Sequence, residues 1–283
     1  MGARRGDGWR VMDVDGTVAV VTGGASGIGR ATAAELARRG ARGVVLADVN
    51  DARLAEAAEE IGALGAEVVT VHCDVARDDD VERLRDTALA KLGDVDIVMN
   101  NAGVVVLGPA DLMTMEEWDW ILQINLYGVI RGVRAFVPHL RARGRGWVVN
   151  TASVAGLFAY AWDTPAYITA KFGVVGLTEA LALYLRPLGV GVSLLCPGLV
   201  STNMGDTARL GGPDPAAWIQ EMPLSDPVEP AVAGTAVADA IRDDRFLVLT
   251  HPEEARERMG RRGADLDAFV AAQIERLPPP PNL

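Results

Sequence analysis

A phenol and an ammonium stand four residues apart in the run Tyr167-Ile168-Thr169-Ala170-Lys171. On a helix this spacing puts both groups on one face, close enough to act together. A free tyrosine titrates near ~10, too high for a base at neutral pH. A fixed cation beside it favours the phenolate and lowers that value, so the pair can serve as an acid/base. A Tyr and a Lys four apart also occur as plain surface neighbours, and context has to separate the two readings. The composition leans toward chemistry: the chain writes nearly every basic residue as Arg, and Lys171 is one of two lysines, the other being Lys91. A planar guanidinium cannot replace a compact ammonium at a tight acid/base site.

The elements that would position this pair follow an alternating pattern. Thr17-Val18-Ala19-Val20-Val21 is a short β-branched run suited to a buried parallel strand. It leads into Thr22-Gly23-Gly24-Ala25-Ser26-Gly27-Ile28-Gly29, and helical periodicity runs from Ile28 until Gly40. Glycines between strand and helix let the backbone take φ > 0 and let a phosphate approach the free N–H groups of the helix start. Gly23, Ser26, Gly27, Ile28 and Gly29 are therefore candidate cofactor contacts, with a pyrophosphate as the natural guest. A second strand, Val44-Val45-Leu46-Ala47, ends in Asp48, about twenty residues beyond the glycines, where a carboxylate can accept from adenosine ribose hydroxyls. The same charge repels a 2′-phosphate, and the next residues are Val49 and Asn50 rather than Arg or Lys, so NAD is expected over NADP. An ordinary strand-end aspartate is the plainer alternative.

The pattern repeats with a helix near 51–64, a strand at 68–72, a helix near 78–92 and a strand at 95–99. Such βαβα alternation predicts an α/β fold, a doubly wound parallel sheet with helices on both faces in a single domain. Asp74 and Val75, just past the third strand, are candidates for the adenine edge; a helix cap is an equal reading of Asp74. Asn101, Ala102 and Gly103 bring small and amide residues to the carboxyl edge of the sheet, where ligands of such folds bind, or simply make a turn. A long helix over 114–143 contains Asn125 in an apolar stretch, and a buried amide there needs partners. The strand Trp147-Val148-Val149-Asn150-Thr151 delivers Ser153, and Tyr167 opens the next helix. The last regular strand, near 190–195, leads to Pro197, Gly198, Val200 and Thr202. Residues 203–227, rich in Gly, Pro and Met, are expected to form a substrate lid. A helix near 228–242, a strand at 246–249 and a terminal helix to about 276 complete a domain over 16–276. A flexible arm (1–15) precedes it and a Pro-rich tail (277–283) follows.

Whole-chain properties narrow the function classes. A length of 283 residues with 31 glycines and few aromatics fits one large α/β domain. A formal charge of -11 argues against nucleic acid or an anionic membrane surface as partner, and toward small ligands. Cys73 and Cys196 lie in apolar strand-like runs and form no framework, and no export signal or membrane span is legible, so a cytoplasmic location is expected. His72, His139 and His251 show no ligand spacing, are read as structural, and no catalytic metal is expected. The run Asp78-Asp79-Asp80 reads as a solvated helix start.

Taken together the motifs resemble the short-chain dehydrogenase/reductase family from Thr17 to about Thr250. The family's TGxxxGxG matches Thr22, Gly23, Gly27 and Gly29, its NNAG Asn100 to Gly103, and its PGxVxT Pro197, Gly198, Val200 and Thr202. Its catalytic Asn, Ser, Tyr and Lys fall on Asn125, Ser153, Tyr167 and Lys171. One departure is a Ser153-to-Tyr167 segment one residue longer than usual, through Ala161-Trp162-Asp163-Thr164, which bears on the substrate wall. The resemblance implies oxidation of a secondary alcohol, or reduction of a ketone. Tyr167 would be the acid/base, Ser153 would hold the reacting oxygen, and Lys171 would lower the tyrosine pKa and hold the nicotinamide ribose. Asn125 would order a water between Lys171 and solvent. Mostly apolar walls at 104–107 and 157–162 suggest a hydrophobic or aromatic substrate. An NADP-preferring carbonyl reductase is the nearest alternative; a sugar-nucleotide epimerase or dehydratase, or a non-catalytic binding protein on the same fold, fits the motifs less well. A homotetramer is implied, with the helix bearing Tyr167 at its interface because Gly173, Gly176 and Ala180 give it a small apolar back. The alternative cover for that back is the terminal helix of the same chain.

Overall fold

The computed structural model describes residues 12–211 and 224–277. The stretch 212–223, with Trp218 and Ile219 of the expected lid, lies outside them, as do residues 1–11 and 278–283. The β-branched runs form β1 (Val18–Thr22), β2 (Gly43–Asp48), β3 (Glu67–His72) and β4 (Ile97–Asn100), followed by the two-residue β5 (Val106–Leu107). Then come β6 (Gly146–Thr151), β7 (Val190–Cys196), the two-residue β8 (Arg209–Leu210) and β9 (Leu247–Leu249). Seven of them make one parallel sheet in the order β3-β2-β1-β4-β6-β7-β9, and β5 pairs with β8 in a separate two-stranded sheet. The order reverses between β1 and β4, and in doubly wound sheets the crevice at such a switch point is where ligands bind.

Helices cover both faces. On one side α1 (Gly27–Arg38), α2 (Asp51–Gly62) and, late in the chain, a helix at Pro230–Arg242 bury Leu36, Leu54, Ile61 and Val237 against the sheet. Gly234 of this last helix lies so near the Ala31 carbonyl that an added Cβ would stand 2.8 Å from its oxygen. On the other side α3 (Asp78–Leu92) contributes Val81 and Leu84. It is followed by α4 (Met115–Leu122), α5 (Gly128–Arg143) and α6 (Pro165–Leu185), of which α5 and α6 bury Phe136, Leu140, Leu181 and Leu185. Numbering continues with α7 for Pro230–Arg242, α8 (Pro252–Ala264) and α9 (Leu266–Arg276). The central strands are fully buried, as a parallel sheet covered on both faces requires.

The structure departs from the periodicity in four places. The long helix predicted over 114–143 is interrupted by a π-helical turn, Gln123–Tyr127, between α4 and α5, and Asn125 sits in it. The terminal helix is two helices, broken where Asp265 takes an extended φ/ψ and its carboxylate caps α9 by accepting from the Ala268 N–H. Asp80 is not solvated: it is buried, accepts the Asp74 N–H at 3.0 Å and pairs with Arg83 at 2.9 Å, so only Asp78 and Asp79 make an exposed helix start. The strands β5 and β8 are too short for any two-residue period to reveal.

Candidate active site

Three elements bring the predicted catalytic residues together: the end of β6, α6 and the π-helical turn. Ser153 stands just past β6, buried, its hydroxyl accepting from the Ala155 N–H at 3.1 Å and pointing to the Pro197 carbonyl at 3.4 Å. Tyr167 and Lys171 lie on the inner face of α6, whose start is favoured by Pro165 in its first turn. The Tyr167 phenol shares a hydrogen bond with Ser153, and the Lys171 ammonium stands 5.5 Å from the centre of the Tyr167 ring. Lys171 is 2 % exposed and donates to the Thr151 carbonyl at 3.0 Å. Asn125, fully buried, accepts the Val104 N–H and donates to the Val104 carbonyl, both at 2.8 Å. Its amide is thereby committed to the loop after β4, and it reaches Lys171 by neighbourhood: a Cβ on Gly103 would lie 3.4 Å from the Asn125 Oδ1 and 3.6 Å from the Lys171 Nζ.

The electrostatics reverse one expectation. Burial pushes the Tyr167 phenol up to about 12 against the lowering effect of Ser153, and pushes Lys171 down to about 8. Desolvation is the dominant cause at both groups and shifts each toward its neutral form. Burial likewise raises the Cys196 thiol to about 12, against the lowering effects of the Ser153 N–H and Lys171, so this neighbour is an inert thiol.

The candidate cofactor cradle is built from φ and hydrogen bonds. Gly23 (φ 64°) and Gly27 (φ 52°) take left-handed conformations that only glycine adopts cheaply. A Cβ on Gly29 would fall 2.2 Å from the Gly23 carbonyl oxygen. Ser26, the residue before α1, makes no side-chain cap, so its hydroxyl and the first N–H groups of the helix are open to an anion. Asp48 ends β2 and one of its oxygens accepts the Ala25 N–H at 3.2 Å, which fixes the glycine loop beside a negative charge. Asp74 closes a turn by accepting the Ala76 N–H at 2.9 Å; α3 begins after Arg77 without a side-chain cap, so Asp74 does not cap it. Val75 packs on α5, where a Cβ on Gly128 would lie 2.9 Å from it. Asn101 gives its amide to the Thr22 carbonyl at 3.1 Å and accepts the Thr151 hydroxyl at 3.2 Å, so its side chain braces the cradle instead of facing into it. Ala102 donates its N–H to the Thr22 hydroxyl at 3.2 Å. Past β7, Pro197 and Gly198 lie beside Ser153, Val200 bridges to Val228, and the Thr202 methyl stands 3.1 Å from where a Cβ of Gly27 would be. These residues fit a dinucleotide: an uncapped helix start, a glycine surface free of side chains, and a carboxylate at the end of β2.

The family's sequence profile, described as short chain dehydrogenase, matches residues 17–211. This protein belongs to the short-chain dehydrogenase family. The dehydrogenase is 39% identical over 277 residues to 1-deoxy-11-beta-hydroxypentalenate dehydrogenase of Streptomyces exfoliatus, covering 95% of this chain and 93% of the relative. It is 37% identical over 195 residues to a 3-alpha-(or 20-beta)-hydroxysteroid dehydrogenase of Mycobacterium bovis, covering 68% and 72%. Among solved structures it is similar to a short-chain dehydrogenase/reductase of Burkholderia phymatum in complex with NAD, with a TM-score of 0.78, 34% identity, and coverage of 96% of this chain and 99% of that one. A metagenomic short-chain oxidoreductase in complex with NADP matches with a TM-score of 0.68 and 32% identity, over 84% and 96%.

Polar side chains inside this dehydrogenase, Thr22 and Asn100 of the motifs and Asn150 and Thr178 outside them, tie the strands and α6 together. Thr22 accepts the N–H groups of Asn101 and Ala102, joining the glycine loop to the loop after β4. Asn100 donates to Asn150 at 2.8 Å, and Asn150 donates to Thr178 at 3.0 Å, a buried chain from β4 through β6 to α6. The signal was available: amides and hydroxyls inside fully apolar strands must find partners. The longer segment before Tyr167 meets the facing wall through Asp163, whose carbonyl accepts the Gly108 N–H at 2.7 Å. Burial raises both the Asp163 carboxyl and the Tyr160 phenol. Among the described residues no group of three or more His, Cys, Asp or Glu is placed to hold a metal ion.

Proposed function

We propose that this NAD(P)-dependent oxidoreductase oxidises a hydrophobic, ring-bearing secondary alcohol to its ketone, or reduces the ketone, with NAD preferred. The observation that carries it is the Tyr167–Ser153 hydrogen bond, with Lys171 buried behind it and an open glycine cradle alongside. The alcohol oxygen would sit between the two hydroxyls. Ser153 donates a hydrogen bond to it and Tyr167 removes its proton, or returns one to the carbonyl in the reverse direction. The bound nicotinamide supplies the hydride acceptor or donor. Protonated Lys171 would stabilise the phenolate that burial alone disfavours. Gly23, Ser26, Gly27, Ile28 and Gly29 would hold the pyrophosphate, and Asp48 the adenosine ribose while repelling a 2′-phosphate.

The substrate class is supported by the wall around Tyr167, an apolar cluster of Val104, Val105, Trp118, Trp120, Leu157 and Phe158. Relatives named for hydroxysteroid and hydroxypentalenate substrates agree with it. A homotetramer with α6 at its interface, and a cytoplasmic location, belong to the same reading.

The test is a panel of mono- and polycyclic secondary alcohols with NAD and with NADP, followed by absorbance of the reduced cofactor. Turnover with NAD should exceed that with NADP, and Tyr167→Phe should lose at least about a hundredfold while binding NADH nearly as well as wild type. A Phe variant close to wild-type turnover would remove Tyr167 from its role, and a wild type preferring NADP would overturn the cofactor assignment.

A further inference from the structure

The loop that follows β7 is held by a relay of side chains that no family motif contains. Gly198 donates its N–H to the Thr250 Oγ1 at 3.0 Å, and Thr250 and His251 meet Oγ1 to Nδ1 at 2.8 Å. The His251 Nε2 lies 3.0 Å from the Asp226 carbonyl oxygen. That carbonyl can only accept, so Nε2 carries the ring proton. In the neutral ring Nδ1 is then an acceptor, and the Thr250 hydroxyl donates to it while receiving from Gly198. Every donor and acceptor in the series is used once, in one direction. The imidazole also packs directly on the loop, since a Cβ at Gly198 would lie 2.6 Å from the His251 Nδ1.

The other end of the loop reaches the chemistry. The Pro197 carbonyl accepts the Val154 N–H at 2.9 Å and faces the Ser153 hydroxyl at 3.4 Å. Leu199 accepts the Val228 N–H at 3.1 Å, and Ser201 donates to the Val228 carbonyl at 2.9 Å. Four residues beyond Gly198, Thr202 touches the glycine loop at Gly27. Residues 197–202 thus run from the catalytic serine to the cofactor cradle, and a cofactor bridging the two must lie along them.

We propose that Thr250 and His251 are positioning residues for the Pro197–Thr202 loop: they set the Gly198 backbone, and through it the nicotinamide half of the cofactor relative to Ser153 and Tyr167. The proposal rests on the dinucleotide reading above. It gives a directional role to a histidine that lacks any metal-ligand spacing, and it explains why Gly198 has no room for a side chain. A displacement of the loop by a fraction of an ångström misaligns the reacting atoms without removing a group that touches them.

The experiment compares Thr250→Val, which keeps the shape and removes the hydroxyl, with Thr250→Ser, which restores it. His251→Leu and His251→Asn make the parallel pair, Asn keeping an acceptor toward Thr250. Binding of NADH is read by fluorescence, binding of 5′-AMP by competition, and kcat by absorbance. Thr250→Val is expected to weaken NADH about tenfold and to lower kcat, with AMP binding unchanged because the adenosine half sits at α1 and β2. Thr250→Ser should recover to within about twofold of wild type. Should the valine variant not fold, the His251 pair carries the same comparison. Valine and serine variants with equal NADH affinity, or AMP weakened in step with NADH, would sink the relay while leaving the parent function standing. A wild type that binds neither NADH nor NADPH would overturn both.

Discussion

At the scale of single residues, the buried pair Tyr167 and Lys171 carries a stability cost that can be measured apart from catalysis. The folded state holds the Lys171 proton more weakly than the unfolded chain does, its pKa falling from 10.5 to about 8. Between those values the unfolded chain binds more protons, so stability rises with pH; as pH falls the contribution is lost, and at pH 7 it is absent. Such a displacement corresponds to a few kcal/mol, on the order of 1.4 kcal/mol for each tenfold change in proton affinity. The bond to the Thr151 carbonyl offsets part of it. Lys171→Met should therefore leave the cofactor-free protein at least as stable as wild type at pH 7. It should also flatten the rise in stability between pH 8 and 10.5, as followed by urea unfolding across pH. An apo variant less stable by several kcal/mol at pH 7 would show that the buried ammonium is fully compensated by its partners in the fold. The pairing of Tyr167 with Lys171 was legible from type and spacing, whereas Ser153 was singled out through the family resemblance; the structure brings Ser153 and Tyr167 into one hydrogen bond. The state of the Tyr167–Lys171 pair was not legible, since desolvation depends on how many atoms surround both groups, and sequence spacing is blind to that.

At the scale of elements, the π-helical turn Gln123–Tyr127 is where one helix is interrupted beside the candidate site. A single extra residue in the turn is a common way to redirect a side chain at a functional position, and here it places the Asn125 amide on both backbone groups of Val104. Asn125→Ala would remove the side-chain partners of the part-buried Val104 N–H and carbonyl, at up to about 1–3 kcal/mol each. Thermal or urea unfolding should show a loss of roughly 2–4 kcal/mol, and kcat should fall because Val104 borders the substrate wall. A loss below about 0.5 kcal/mol would mean that water takes over both bonds. The apolar periods did place the strands and most helices within a residue or two, α3 at Asp78–Leu92 among them. They could not show the π turn, because the residues on either side keep a helical pattern, nor the β5–β8 pair, whose two-residue strands join chain segments about a hundred residues apart.

At the scale of the whole molecule, α6 has an apolar back that the described part of this chain covers at Gly173, with Leu126, and leaves open from Gly176 onward. A Cβ at Gly176 would meet nothing within 4 Å, and Leu183 is 81% exposed. The terminal helices pack elsewhere, with Phe269 against Phe158 at 6.4 Å and Arg262 over Phe172 at 5.4 Å, near the start of α6. The segment Pro165–Leu188 is long and apolar enough, by length and composition, to cross a membrane, yet its inner face carries Tyr167 and Lys171 against the sheet. A second copy is the cover we expect. Light scattering should return a multiple of the monomer mass at micromolar concentration, and Gly176→Arg should lower it, since burying an unpaired charge costs several kcal/mol. A wild type that is monomeric under those conditions would refute the interface. Reading the small residues off the sequence suggested this back; only the packing of α8 and α9 argued against the chain covering it itself. The strand order has a consequence for biosynthesis as well. Strand β1 pairs with β2 on one edge and on the other with β4, Ala19 lying opposite Ile97. A nascent chain therefore carries the glycine loop with one edge of its strand bare until about eighty further residues have left the ribosome. Stalled chains ending before β4 should be cut readily by protease near Val18–Thr22, and chains extending past β6 should resist.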